Sequence, residues 1–134
     1  MSPIPDNANA KQIKDLLNKE FKLLTTIVVD TGNTLFDPDP LQCLRSGPVV
    51  WLVYNNDTTE HTVGIDPNSF KNESTGLYEN PLAEKKPLTV TVQPKSVGLM
   101  DAHIKGDAKF NAYKYTITTL GGTPLDPELD VVVP

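Results

Sequence analysis

Pro48-Val49-Val50-Trp51-Leu52-Val53-Tyr54 is an unbroken apolar run, β-branched at three positions and aromatic at two. Residues of that kind over that length read as a strand. Side chains alternate along a strand, so Val49, Trp51 and Val53 point one way and Val50, Leu52 and Tyr54 the other. A strand apolar on both faces is a central strand covered on both sides. Its neighbours have the same character. Upstream, Thr25-Thr26-Ile27-Val28-Val29-Asp30 is β-branched and ends at the Thr31-Gly32-Asn33 turn, and Leu41-Gln42-Cys43-Leu44-Arg45 forms a short strand. Downstream come His61-Thr62-Val63-Gly64-Ile65 and the cleanly alternating Leu88-Thr89-Val90-Thr91-Val92. Strands over 98–105 and 113–119, a Gly121-Gly122 turn and a closing strand over 129–133 complete the series. Between Ile65 and Leu88 lie Asp66-Pro67, Gly76, Pro81 and Pro87 with few β-branched residues. That composition predicts a loop over 66–87, and loops of about 20 residues in a compact domain are functional or mobile.

The first residues read differently. Pro3 and Pro5 make 1–8 an irregular arm. Asn7 or Asn9 then caps a helix over 9–24. Ile13, Leu16, Leu17, Phe21 and Leu24 recur at helical spacing, with Lys11, Lys14, Lys19, Lys22, Asp15 and Glu20 between them. The stripe either packs on the domain or docks a partner or a second copy. A membrane-surface helix is the third option, disfavoured by mixed charges and the lack of Trp in the stripe. One amphipathic helix and about eight strands imply a mainly β fold, a Greek-key β-sandwich over 25–134 preceded by the 1–24 arm and helix.

The composition narrows the function classes. The chain has 134 residues, 12 Lys and Arg against 17 Asp and Glu, and a net charge of −5. No basic cluster suited to phosphates is present, so no nucleic-acid partner is expected. No apolar run approaches the ~20 residues of a membrane span. Met1 to Asp6 holds no basic or long apolar stretch. No secretory signal is therefore read there, and the expectation is a cytoplasmic chain, with an exported chain trimmed of its signal as the alternative. Cys43 is the single cysteine, so there is no disulfide framework, and its place in an alternating strand reads as burial rather than reactivity. Four Asp-Pro pairs begin at Asp37, Asp39, Asp66 and Asp126 and read as turn chemistry. Asp37 with Asp39 is a calcium alternative that lacks the oxygen count and loop pattern such a site needs. Two Asn-x-Ser/Thr triplets, Asn56-Asp57-Thr58 and Asn72-Glu73-Ser74, match the glycosylation pattern, which is short enough to arise by chance.

Taken in order, Ser46-Gly47, the aromatic strand, Asn55, a short loop, His61 and the β-branched Val63 resemble the front half of a cupredoxin. Tyr113-Lys114-Tyr115-Thr116-Ile117, a Gly-containing turn and the last strand resemble the back half. The likeness covers roughly residues 25–134 and leaves out the helix. It implies a metal held by two His, one Cys thiolate and a weak axial Met. His61 stands at the first His, Ile117 at the Cys, Leu120 near the second His and Leu125 near the Met. Residues 104–134 contain no Cys, His or Met. The resemblance therefore implies a type 1 copper site that has been lost, with no cofactor and no electron transfer. That end of the sandwich should be closed by Ile117, Leu120 and Leu125, each burial being worth about 1.5–3 kcal/mol.

Other chemistry is scarce. His103 falls on the outward side of its strand, opposite Met100, Ala102 and Ile104. His61 with Glu60 offers a weak Zn²⁺ or Cu²⁺ surface site, and two donors rarely suffice. No G-x-S-x-G, H-E-x-x-H, P-loop or G-x-G-x-x-G pattern occurs, so no enzyme is expected. The preferred reading is a non-catalytic interaction or structural module, with contacts from the N-terminal helix, the 66–87 loop or the 120–128 turn. The competing class is a metal-binding or electron-transfer protein with an atypical site around His61. A carrier of a small apolar ligand is a third.

Overall fold

A computed structural model describes residues 9, 11–13, 25–30, 33–37, 41–119 and 124–134. Among these the chain is mainly β, with eleven strands: β1 (Thr25–Asp30), β2 (Asn33–Asp37), β3 (Leu41–Cys43), β4 (Pro48–Asn55), β5 (His61–Ile65), β6 (Lys71–Asn72), β7 (Leu88–Val92), β8 (Val97–His103), β9 (Ala112–Lys114), β10 (Ile117–Thr119) and β11 (Glu128–Val131). They form three sheets, ordered β2-β1-β4-β8, β10-β5-β7 and β3-β11-β9-β6. β1 runs parallel to β4 and β3 parallel to β11. The remaining pairs are antiparallel.

One buried apolar cluster draws on all three sheets. Ile27, Val29, Val49, Trp51, Val53, Met100 and Ala102 come from the first sheet. Val63, Ile65, Val92 and Ile117 come from the second, and Cys43, Tyr113, Leu129 and Val131 from the third. β4 is central, as its sequence implies, lying between β1 and β8. Its other face is also covered: Leu52 and Tyr54 are buried outside that cluster, registered against buried Thr26 and Val28 of β1. At the N-terminal end, residues 11–13 are helical and Ile13 is fully buried. Asn9 is the cap. Its Oδ1 accepts from the Gln12 amide at 2.9 Å while the Gln12 Oε1 accepts from the Asn9 amide at 3.0 Å, a reciprocal capping box. Asn7 and the rest of the 9–24 helix expected from the sequence lie outside the described residues.

Three expectations need correction. The 66–87 segment is not a plain loop. Asp66 accepts the Asn68 amide and caps a 3-10 turn at Pro67–Ser69, and β6 follows against β9. Isolated bridges then join Lys71 to Tyr78 and Leu82 to Ile104, and Phe70 and Leu82 are fully buried. Anchors of this kind hold a segment that lacks a strand pattern of its own. Second, the single strand expected over 113–119 is two. β9 pairs in the third sheet and β10 in the second, and between them the Tyr115 amide donates to the Pro127 carbonyl at 3.0 Å. The chain thus steps from one sheet to the next at Tyr115-Thr116. Third, β2 occupies Asn33–Asp37, a stretch whose end residues Asn33 and Asp37 the sequence assigns to turns, because its backbone pairs antiparallel with β1.

Candidate functional site

The end of β4 and the start of β5 build the most organised polar region. Asn55 closes β4 with its side chain turned inward and fully buried. Its Nδ2 donates to the carbonyls of Thr59 and Val92, at 2.8 and 2.9 Å, and its Oδ1 accepts from the Asp57 amide at 2.9 Å. A buried amide with three partners fixes the loop that it ends. The adjoining turn reinforces this. Lys95 adopts φ 56°, and its Nζ donates to the Asn56 carbonyl and Oδ1 at 2.8 and 2.9 Å. Asn56 in turn donates from Nδ2 to the Asp30 carboxylate at 3.0 Å.

Within that frame His61 Nε2 lies 2.8 Å from Asp57 Oδ2, with only 17% and 13% of the two side chains exposed. An ionised carboxylate only accepts, so in this contact the ring donates from Nε2. Asp57 Oδ1 also accepts from the Thr58 amide at 2.7 Å. The partner of His61 is therefore Asp57. Glu60, expected beside it, instead accepts from Gln93 Nε2 at 2.6 Å. The D-x-x-x-H spacing was the available signal for this pair, but a four-residue offset joins side chains only if the loop curls back. The curl comes from Asn55. Chemically the pair orients one imidazole and brings together one imidazole and one carboxylate, two groups able to ligate a metal. No group of three or more His, Cys, Asp or Glu that could hold a metal occurs among the described residues.

The other positions that the resemblance assigns to metal ligands are only partly gathered. Ile117 is fully buried and forms an isolated bridge with Leu125, each amide donating to the other's carbonyl at 3.0 and 2.9 Å. Leu125 packs half-buried against the core. Leu120 lies outside the described residues. His61 is not part of this contact. Ile117 is registered against Ile65, at the far end of β5 from His61. The two ends are four residue steps apart along the strand, about 13 Å. The resemblance puts His61 and Ile117 in one coordination sphere, and the pairing keeps them apart.

The remaining candidates resolve simply. His103 is outward, 58% exposed, with Nδ1 3.7 Å from Glu84 Oε2 and its amide donating to Glu84 Oε1 at 2.9 Å. Asp37 ends β2, and Asp39 lies outside the described residues. Cys43 is buried, and burial together with the nearby Asp130 carboxylate pushes its thiol up to about 12. The thiolate is the nucleophile, so this sulfur is inert at neutral pH. The sign of the pH effect follows. The unfolded thiol titrates near about 8.5. The native one holds its proton longer, so stability falls as pH rises from there toward 12, at up to about 1.4 kcal/mol per unit from this group. Tyr113, raised by burial first and Glu79 next, acts in the same direction. Urea unfolding at stepped alkaline pH should show this decline, and Cys43→Ala should flatten part of it. A Cys43→Ala profile as steep as wild type would remove the thiol as the cause.

No protein-family model matches the chain, and no curated protein matches it. Among the described residues no helix is long and apolar enough to cross a membrane.

Proposed function

We propose that the chain is a non-catalytic, cupredoxin-like module without a type 1 copper site, acting through contacts with another protein. The observation that carries the reading is that residues 104–134 contain no Cys, His or Met to supply the thiolate, the second imidazole or the axial ligand, while Ile117 and Leu125, at two of the positions that the resemblance assigns to ligands, pair through their backbones. The multi-sheet part of it is supported by strand order: successive strands β2 and β3, β4 and β5, and β7 and β8 lie in different sheets, while β1 and β4, distant in sequence, pair in parallel. The interaction part is supported by the 66–87 segment, whose ordered frame presents Leu77 and Tyr78 at 66% and 73% exposure. Nearby on the surface, Arg45 stacks 3.7 Å over the half-exposed ring of Phe110. Aromatic residues and Arg are the types enriched in protein interfaces.

Titration with Cu(II), followed by visible absorption, tests the copper claim. The expected result is no thiolate-to-copper band at any Cu(II) concentration. An intense band would overturn it. The Asp57–His61 pair favours a second reading, a weak divalent-cation site. Stoichiometric metal in the purified protein that His61→Ala removes would establish that reading in place of the first.

A further inference from the structure

Two asparagines match the acceptor pattern for N-linked glycans, and the fold has committed both. Asn72 is fully buried. Its Nδ2 faces Glu79 Oε2 at 3.4 Å, its Oδ1 accepts from the Ser74 amide at 2.9 Å, and its backbone amide donates to the Leu77 carbonyl at 2.8 Å. Asn56 is 9% exposed, with Nδ2 on Asp30 and Oδ1 held by Lys95. In each triplet the atom that a transferase must reach is the amide nitrogen that the fold has turned inward.

We infer that an N-linked glycan on Asn56 or Asn72 and the native fold are mutually exclusive. In the transfer step the Asn Nδ2 forms a bond to the anomeric carbon of a sugar diphosphate donor. The bond from that carbon to the diphosphate breaks, and one amide proton leaves with the diphosphate. The product keeps a single N–H on a nitrogen now bearing a sugar, where Asn72 is fully buried and Asn56 is 9% exposed. At Asn72 the sugar displaces the carboxylate of Glu79. At Asn56 it displaces the link to Asp30 and disturbs the loop that holds His61. The biological content is a maturation route: a chain with this fold reaches its working place without oligosaccharide transfer to these triplets.

The test uses a purified oligosaccharyltransferase with its lipid-linked donor. It is offered the native chain, the same chain unfolded in the mildest urea that the enzyme tolerates, and peptides spanning 53–61 and 69–77. Mass spectrometry should find sugar on the peptides and the unfolded chain and none on the native chain. As a second measurement, the full chain is secreted from glycosylating cells with and without an inhibitor of glycan synthesis. Every protease-resistant molecule should lack sugar, and every sugar-bearing molecule should be protease-sensitive. A protease-resistant molecule with a glycan on either asparagine, from either experiment, overturns the inference.

Discussion

Replacing Trp51 by Ala is expected to lower stability by about 3–5 kcal/mol, the range for deleting a large buried aromatic side chain. Small domains have only about 5–15 kcal/mol in total, so this loss is a large fraction of the whole and should lower the urea midpoint markedly. The reason is position as much as size. Trp51 is fully buried in the middle of β4, its ring edge-on to Tyr115 with centroids 6.2 Å apart, and its Nε1 donating to the Tyr115 hydroxyl at 3.2 Å. Tyr115 stacks in turn on Phe70 at 4.8 Å. One column of three rings therefore ties the β2-β1-β4-β8 sheet to the point where the chain changes sheets and to the anchored 66–87 segment. Trp51→Phe keeps most of the apolar contact and loses the indole N–H, which should cost less, about 1 kcal/mol from the hydrogen bond plus a small cavity term. Trp51 is the only tryptophan, so unfolding must be followed by circular dichroism rather than its fluorescence. An Ala variant whose urea midpoint matches wild type would show that the column does not hold the fold.

The column also explains what could be read in the sequence. β1, β4, β5 and β7 were legible because alternation and β-branching are local properties, and these strands carry them at their own positions. Asn33–Asp37 and Lys71–Asn72 carry no such pattern; β2 and β6 exist because β1 and β9 offer them backbone partners. Phe70 and Leu82 looked like isolated apolar residues in a loop, and only the tertiary fold reveals them as anchors. The break at Tyr115-Thr116 was hidden for the opposite reason. Residues 113–119 alternate without interruption, and nothing local says that the chain will change partners midway. The site was legible in the same uneven way. His61 stood out by residue type and place, whereas its partner Asp57 depended on the curl imposed by Asn55. Ile117 and Leu125 were recognisable as apolar replacements, but the register that parts Ile117 from His61 is a property of strand pairing.

Gly98 illustrates how such pairing constrains a residue that sequence treats as neutral. It sits on β8 opposite Val53, on the same side of the strand as the core residues Met100 and Ala102. A Cβ there would lie 2.7 Å from Val90 Cγ2 and 2.9 Å from Val92 Cγ2. Both methyls belong to β7, so the first and second sheets approach each other at this glycine, and only a residue without a side chain fits. The backbone there is not left-handed, so conformational entropy alone would make Gly98→Ala stabilising by about 0.4–1 kcal/mol. Space reverses the sign. Valine is stiff at χ1, Val92 is buried in the core and Val90 packs partly buried against it, so the methyls have little room to swing away. Overpacking of this kind costs about 1–3 kcal/mol. Gly98→Ala should fall in that range and Gly98→Val above it, as read from the urea midpoint at unchanged slope. The mechanism is separable from general damage to β8. Val90→Ala removes the nearer methyl, so the Gly98→Ala/Val90→Ala double variant should be more stable than the sum of the single effects requires, with coupling of about 0.5 kcal/mol or more. Additive losses in that cycle would mean that the sheets do not meet at Gly98.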